Sequence, residues 1–87
     1  MDKLMKTLIL YSKPGCHLCE GLQEKLEELP VQLEVRDITT KDVWFQQYQY
    51  EVPVLFYGEQ LIPRISPRAS TAKVAQIIQT HVGSFEA

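Results

Sequence analysis

Tyr11-Ser12-Lys13-Pro14-Gly15-Cys16-His17-Leu18-Cys19 joins two segments of opposite pattern. Before it, Met5, Leu8, Ile9, Leu10 and Tyr11 make a near-continuous apolar run from Leu4 to Tyr11, interrupted by Lys6 and Thr7. A run this short fits a buried central strand, although periodicity alone leaves a buried helix open. After it, Leu18, Leu22, Leu26 and Leu29 recur at steps of four, four and three, with Glu24, Lys25, Glu27 and Glu28 between them. That is the apolar stripe of a helix whose other face is solvated. Gly21 is tolerated inside it at a cost of about 1 kcal/mol relative to Ala, and Pro30 stops it. Pro14-Gly15 punctuates the passage from one to the other, so both cysteines lie at the start of a helix that follows a strand.

Working outward, Val31, Leu33 and Val35 alternate with Gln32, Glu34 and Arg36, the pattern of a half-buried edge strand. Thr39-Thr40-Lys41-Asp42 offers N-caps for a short helix through Val43, Trp44, Gln47 and Tyr48. Val52-Pro53-Val54-Leu55-Phe56-Tyr57 reads as a strand with its proline near the beginning, and Gly58-Glu59 turns it into Gln60-Leu61-Ile62 as a hairpin. Ser66-Pro67 has the form of an N-cap with proline in the first helical position. It precedes a stripe of Ala69, Ala72, Ala75, Ile78 and Val82, flanked by Val74 and Ile77 and closed by Gly83. The expected order is βαβαββα: an α/β chain with a mixed four-stranded sheet flanked by three helices. Its first two strands are parallel across a right-handed crossover, and its last two form an antiparallel hairpin.

The 87 residues suffice for a single small domain over 1–87, with a thin core. The composition, 45% hydrophobic and 23% charged, excludes a disordered or collagen-like chain and a membrane span. Nine Lys+Arg against 11 Asp+Glu leave a net charge of −2, so there is no cationic excess for nucleic acid. Met1-Asp2-Lys3-Leu4-Met5-Lys6 followed by Leu8-Ile9-Leu10 falls short of the roughly 7–15 apolar residues of a secretory leader, and a cytoplasmic location is expected. A persistent structural disulfide is unusual there, so the two cysteines call for another role.

The helix start gives them one. Spare N–H groups and the positive end of the helix dipole stabilise an anion, and a thiolate is such an anion. An unperturbed thiol, with a pKa of about 8.5, is only about 3% ionised at pH 7, whereas in Cys-X-X-Cys motifs at helix starts the pKa falls to about 7 or below. Lys13 adds positive charge three residues before Cys16, and the i,i+3 spacing brings Cys19 within disulfide reach. Cys16, opening the helix, is assigned as the nucleophile, and Cys19, inside the first turn, as the resolving thiol. Two other readings stay open. Buried cysteines can be inert. A zinc site needs four ligands, for which the chain offers only Cys16, Cys19, His17 and His81, without a second pair at ligand spacing.

The segment from Tyr11 to Cys19 resembles the active-site segment of the glutaredoxin family, on the thioredoxin fold, and Val52-Pro53-Val54 resembles that fold's cis-proline segment. The element order matches over nearly the whole chain. Asp37-Ile38 through Tyr48 to Val52-Pro53-Val54-Leu55 looks like a short glutaredoxin-like branch rather than a typical glutaredoxin. The resemblance implies a cis Val52–Pro53 bond facing the cysteines, with Val52 offering its backbone to a disulfide substrate. Two departures bear on function. His17-Leu18 replaces the usual Pro-Tyr between the cysteines. Pro63-Arg64-Ile65-Ser66-Pro67-Arg68 stands where typical members carry a Gly-Gly and an acidic pair for glutathione.

The expected activity is therefore thiol–disulfide exchange through Cys16 and Cys19, with no bound cofactor or metal required and glutathione a candidate co-substrate. Lys13, Val52, Pro53, Arg64 and Ser66 are the expected substrate-binding residues. Arg64 and Ser66, with Arg68, lie where a substrate carboxylate could be held. His17, whose unperturbed pKa is near 6.5, and Tyr11 are candidate tuning residues, and solvated-surface and core roles respectively remain open for them. Trp44 and Tyr48 are read as a packing pair, and His81 as a dipole partner at a helix C-terminus. Expected partners are a disulfide-containing protein or small thiol and a reductant, glutathione or a thioredoxin-type reductase, with the protein a monomer and neither nucleic acid nor membrane involved. The alternatives are an iron–sulfur cluster carrier, as some glutaredoxins are, and a binding module that keeps the thioredoxin fold without turnover.

Overall fold

The computed structural model describes residues 5–85, so the expected strand start at Leu4 lies outside the described residues. Strand β1 spans Thr7–Ser12, α1 His17–Glu27, β2 Gln32–Asp37, α2 Asp42–Tyr48, β3 Val54–Tyr57, β4 Gln60–Leu61 and α3 Thr71–Val82. The order is βαβαββα, an α/β arrangement of the thioredoxin-like type. The sheet runs β2-β1-β3-β4. β1 is parallel to β2, from Thr7 opposite Gln32 to Ser12 opposite Asp37, and antiparallel to β3, with Leu10 opposite Leu55.

Alternation along the central strands divides the core. Leu8, Leu10 and Leu55 face one way and meet Leu26 of α1 and Val74 and Ile78 of α3. Tyr11 and Val54 face the other way and meet Ile38, with Trp44, Phe45 and Tyr48 of α2 packed against them. This is the two-residue period of a strand covered on both faces. β2 is the expected edge; Val35 on it is left 40% exposed.

Several boundaries depart from expectation. Leu18 does not join the stripe of α1: it is 49% exposed, and Cys19, 2% exposed, takes the inward position. Thr39 and Thr40 do not cap α2. They belong to a single 3-10 turn, Ile38–Thr40, in which the Asp37 carboxylate accepts the Thr39 N–H at 2.9 Å and its hydroxyl at 2.6 Å. The N-cap of α2 is Lys41, with no side-chain hydrogen bond. β3 begins at Val54, past Pro53, which has no N–H to give the ladder.

Ser66-Pro67 does not open the last helix. The Ser66 hydroxyl accepts the Arg68 N–H at 3.1 Å in a local turn, and α3 is capped by Ser70, whose hydroxyl accepts the Lys73 N–H at 3.1 Å. Lys25 on α1 favours this arrangement, its ammonium donating to the carbonyls of Pro67 at 3.0 Å and Ala69 at 2.5 Å. A helix through these residues would spend both carbonyls on its own i→i+4 bonds. The buried face of α3 accordingly centres on Val74 and Ile78, both fully buried, while Ala72 is exposed.

Candidate active site

The approach to the cysteines is a tight turn. The Cys16 N–H donates to the Lys13 carbonyl at 3.3 Å, and Gly15 has φ of +80°. Proline second and a left-handed glycine third are the residues that a type II turn requires. The turn delivers Cys16 in an extended conformation, φ −88° and ψ 103°, as the N-cap of α1. Its Sγ accepts the Cys19 N–H at 3.1 Å, and its carbonyl accepts the Glu20 N–H at 3.0 Å. The sulfur thus occupies the place where helices usually put a Ser or Asp oxygen. Cys16 and Cys19 are joined as a disulfide, with Cα atoms 5.2 Å apart. Cys16 is half-buried against the cluster that contains Cys19.

The Val52–Pro53 peptide is cis. Val52, 8% exposed, belongs to the same cluster as Cys19 and Tyr11, so this loop and the disulfide share one packing unit. Tyr11 is a core residue: its ring lies 4.5 Å from that of Tyr48 and 5.6 Å from that of Trp44, centroid to centroid. Trp44 and Tyr48 both pack on this ring, which stands between them as the common partner. The Tyr11 hydroxyl accepts from Arg36 at 2.9 Å. Arg36 is held further toward its charged form by Glu34, its hydrogen-bond partner, against the opposing effect of burial. Burial pushes the Tyr48 phenol above its ordinary value.

Of the remaining expected site residues, His17, Arg64 and Ser66 come together with Pro53 along one groove, while Lys13 turns to a carbonyl of the chain's own loop. The Lys13 ammonium donates to the Gln49 carbonyl at 3.2 Å, and Arg64 Nη1 donates to the Glu51 carbonyl at 2.8 Å. His17 is exposed, with Nδ1 3.7 Å from a Glu20 carboxylate oxygen. His81 sits in the last turn of α3, its Nδ1 2.9 Å from the Ile77 carbonyl. Ser66 and Arg64 both line a groove of about 260 Å³ beside the start of α1, with a floor that includes Leu18, Leu22 and Ile65. Pro53 and Arg64 border this groove and a second of about 450 Å³ that reaches Tyr48, Phe56 and Ile62. The carbonyls of Gln49 and Glu51 were missed in the sequence, because main-chain acceptors leave no residue signal. Among the described residues no three His, Cys, Asp or Glu side chains cluster as a metal site would require, and no helix is long and apolar enough to cross a membrane.

The model of the glutaredoxin-like domain (DUF836) matches residues 7–79. The chain belongs to this glutaredoxin-like family. The match runs from the first residue of β1 into the last turn of α3, and so takes in the cysteine turn and the Val52–Pro53 loop. No curated protein matches the chain. A solved structure described as that of a malarial protein is similar in fold, with a TM-score of 0.61 at 13% identity, over 90% of this chain and 98% of that one. For a glutaredoxin-like domain, a cysteine pair at the N-terminus of α1 is consistent with a redox role.

Proposed function

We propose that this glutaredoxin-like protein is a dithiol–disulfide oxidoreductase. The observation that carries the reading is the Cys16 sulfur at the N-cap, accepting the Cys19 N–H at 3.1 Å while Cys19 is 2% exposed behind it. In the reduced protein the Cys16 thiolate is the accessible, helix-stabilised nucleophile. It attacks one sulfur of a substrate disulfide, forming a mixed disulfide and releasing one substrate thiolate. Cys19, giving up its proton, then attacks the Cys16 sulfur and releases the second thiolate. Two electrons pass to the substrate, its two sulfurs gain the two protons that the cysteines lost, and the protein is left with the Cys16–Cys19 bond. An external thiol reductant reverses the sequence, and the cycle needs no bound cofactor. Val52, packed in the cluster that holds both cysteines, and Pro53, on the border of both grooves, form the wall against which a polypeptide substrate is laid.

The test is a titration of the Cys16–Cys19 pair against dithiothreitol, followed by limiting alkylation of the reduced protein near pH 7. A single two-electron transition is expected, with Cys16 labelled first. Absence of a reversible transition, or labelling of Cys19 ahead of Cys16, rejects the reading.

Glutathione is a weak reductant in this proposal. Part of the Pro63-to-Arg68 segment is engaged by the chain itself: Arg64 Nη1 with the Glu51 carbonyl, the Ser66 hydroxyl with the Arg68 N–H and the Pro67 carbonyl with Lys25. Exposed arginines add only about 0–1 kcal/mol each to an ion pair, less than the 1.4 kcal/mol of a tenfold affinity change. Glutathione-coupled reduction of a small mixed disulfide should run at least about tenfold below that of a typical glutaredoxin, while dithiothreitol reduces the pair readily. Equal turnover would show that the segment replaces the missing glutathione pattern.

A further inference from the structure

Two cations grip the loop that packs with the disulfide. Lys13 belongs to the turn that ends on Cys16, and its ammonium reaches the Gln49 carbonyl at 3.2 Å. Arg64 follows β4, and its guanidinium reaches the Glu51 carbonyl at 2.8 Å. The turn that spans these anchors is closed by the Tyr48 carbonyl, which accepts the N–H groups of Glu51 at 2.8 Å and Val52 at 3.1 Å. The loop leading to Pro53 is thus tied to the cysteine turn at one carbonyl and to the segment that follows β4 at another. Both ties are charge-assisted, the stronger class of hydrogen bond. Each joins elements distant in sequence, so neither is a by-product of local geometry.

We propose that Lys13 and Arg64 are positioning residues, a clamp that sets the Val52–Pro53 main chain at a fixed height over the Cys16–Cys19 sulfurs. The inference rests on the oxidoreductase reading and deepens it. A polypeptide disulfide must present its sulfur to Cys16 in line while its backbone lies along Val52, and a small displacement of that wall misaligns the attack. Lysine and arginine near a redox site would ordinarily be read as holders of a ligand carboxylate. Here each is aimed at a carbonyl of the chain's own loop, and Arg64 shares with Pro53 the border of both grooves.

The experiment measures insulin disulfide reduction, with dithiothreitol as the terminal reductant, for the whole chain and for Arg64→Ala, Arg64→Lys and Lys13→Ala. Amide hydrogen exchange at Glu51 and Val52 is followed in each. Arg64→Ala should lower kcat/KM by about tenfold, the loss expected for one charge-assisted hydrogen bond, and quicken exchange at both amides. Its equilibrium with dithiothreitol and its Cys16 alkylation rate should match the wild type, since Arg64 touches neither sulfur. Arg64→Lys should recover part of both losses, which a role in bulk stability alone would not produce. Should Arg64→Ala fold poorly, Arg64→Lys and Lys13→Ala carry the same comparison. An active wild type with unchanged kcat/KM or unchanged exchange in the Arg64 and Lys13 variants overturns the clamp alone. A wild type that neither reduces insulin nor cycles with dithiothreitol removes the oxidoreductase reading, and the clamp with it.

Discussion

At the scale of single residues, the site is built from side chains that stand in for main-chain partners. Cys16 takes the place of an N-cap oxygen, and Asp37 does the equivalent work at the 3-10 turn before α2. Hydrogen bonds from the Thr39 hydroxyl and then its N–H hold the Asp37 carboxyl below the ordinary carboxylate value. A lowered folded value means that the cap's contribution is complete above the unfolded pKa, about 3.9, and is lost as pH falls through the folded one. Thr39→Ala removes the hydroxyl donor and keeps the N–H, so the Asp37 carboxyl should titrate closer to its ordinary value. Carbon NMR of that carboxyl group checks this, and an unmoved titration would assign the shift to another cause. The two cysteines were legible in the sequence because Cys-X-X-Cys after a strand has few other uses. Arg64 and Lys13 were legible as cations near the site but not as anchors. Their acceptors are carbonyls, and which carbonyl a long side chain meets depends on tertiary placement.

At the scale of elements, the sequence disclosed types and order, while caps and faces were settled by competition between neighbours. Ser66-Pro67 and Ser70 are both acceptable helix starts, and Lys25, far away in sequence, favours the second by binding the Pro67 and Ala69 carbonyls. Leu18 fits the stripe of α1 by spacing, yet the inward place at that first turn goes to Cys19. Two glycines around α1 separate local requirement from tolerance. Gly15 needs its φ of +80°, and a Cβ there would meet no atom within 4 Å, so Gly15→Ala tests conformation without a steric clash. It should destabilise by about 1 kcal/mol, the cost of a left-handed L-residue. Gly21 lies in the helix body, with equally open space around a Cβ. Gly21→Ala should stabilise by about 1 kcal/mol. For a domain this small each change moves Tm by about 4–8 °C, in opposite directions, and thermal denaturation reads both. A Gly15→Ala variant as stable as the wild type would mean that the left-handed turn does not govern the entry into α1.

At the scale of the whole molecule, the sheet separates a stability core from a core that also contains the redox pair. On one side Ile78 is fully buried with Leu8, Leu10, Leu26, Leu55 and Val74. On the other Ile38 is fully buried with Tyr11, Cys19, Val52 and Val54. A chain of 87 residues has roughly 4–13 kcal/mol of total stability, so one large-to-small change is a sizeable fraction of it. Ile78→Ala and Ile38→Ala delete the same atoms and should each cost about 2–5 kcal/mol in urea unfolding, transfer and cavity terms together. Their chemistry should differ. The cavity from Ile38→Ala opens in the cluster that hides the Cys19 sulfur, so alkylation of Cys19 in the folded, reduced protein should rise. The cavity from Ile78→Ala opens beyond the sheet and should leave the ratio of Cys16 to Cys19 labelling unchanged below the unfolding transition. The comparison is made at matched fractions of folded protein, because labelling through global unfolding would expose both cysteines in either variant. Equal gains in Cys19 labelling under those conditions would mean that the sheet does not insulate the pair. The second cluster would then carry stability without a separate part in keeping the resolving thiol covered.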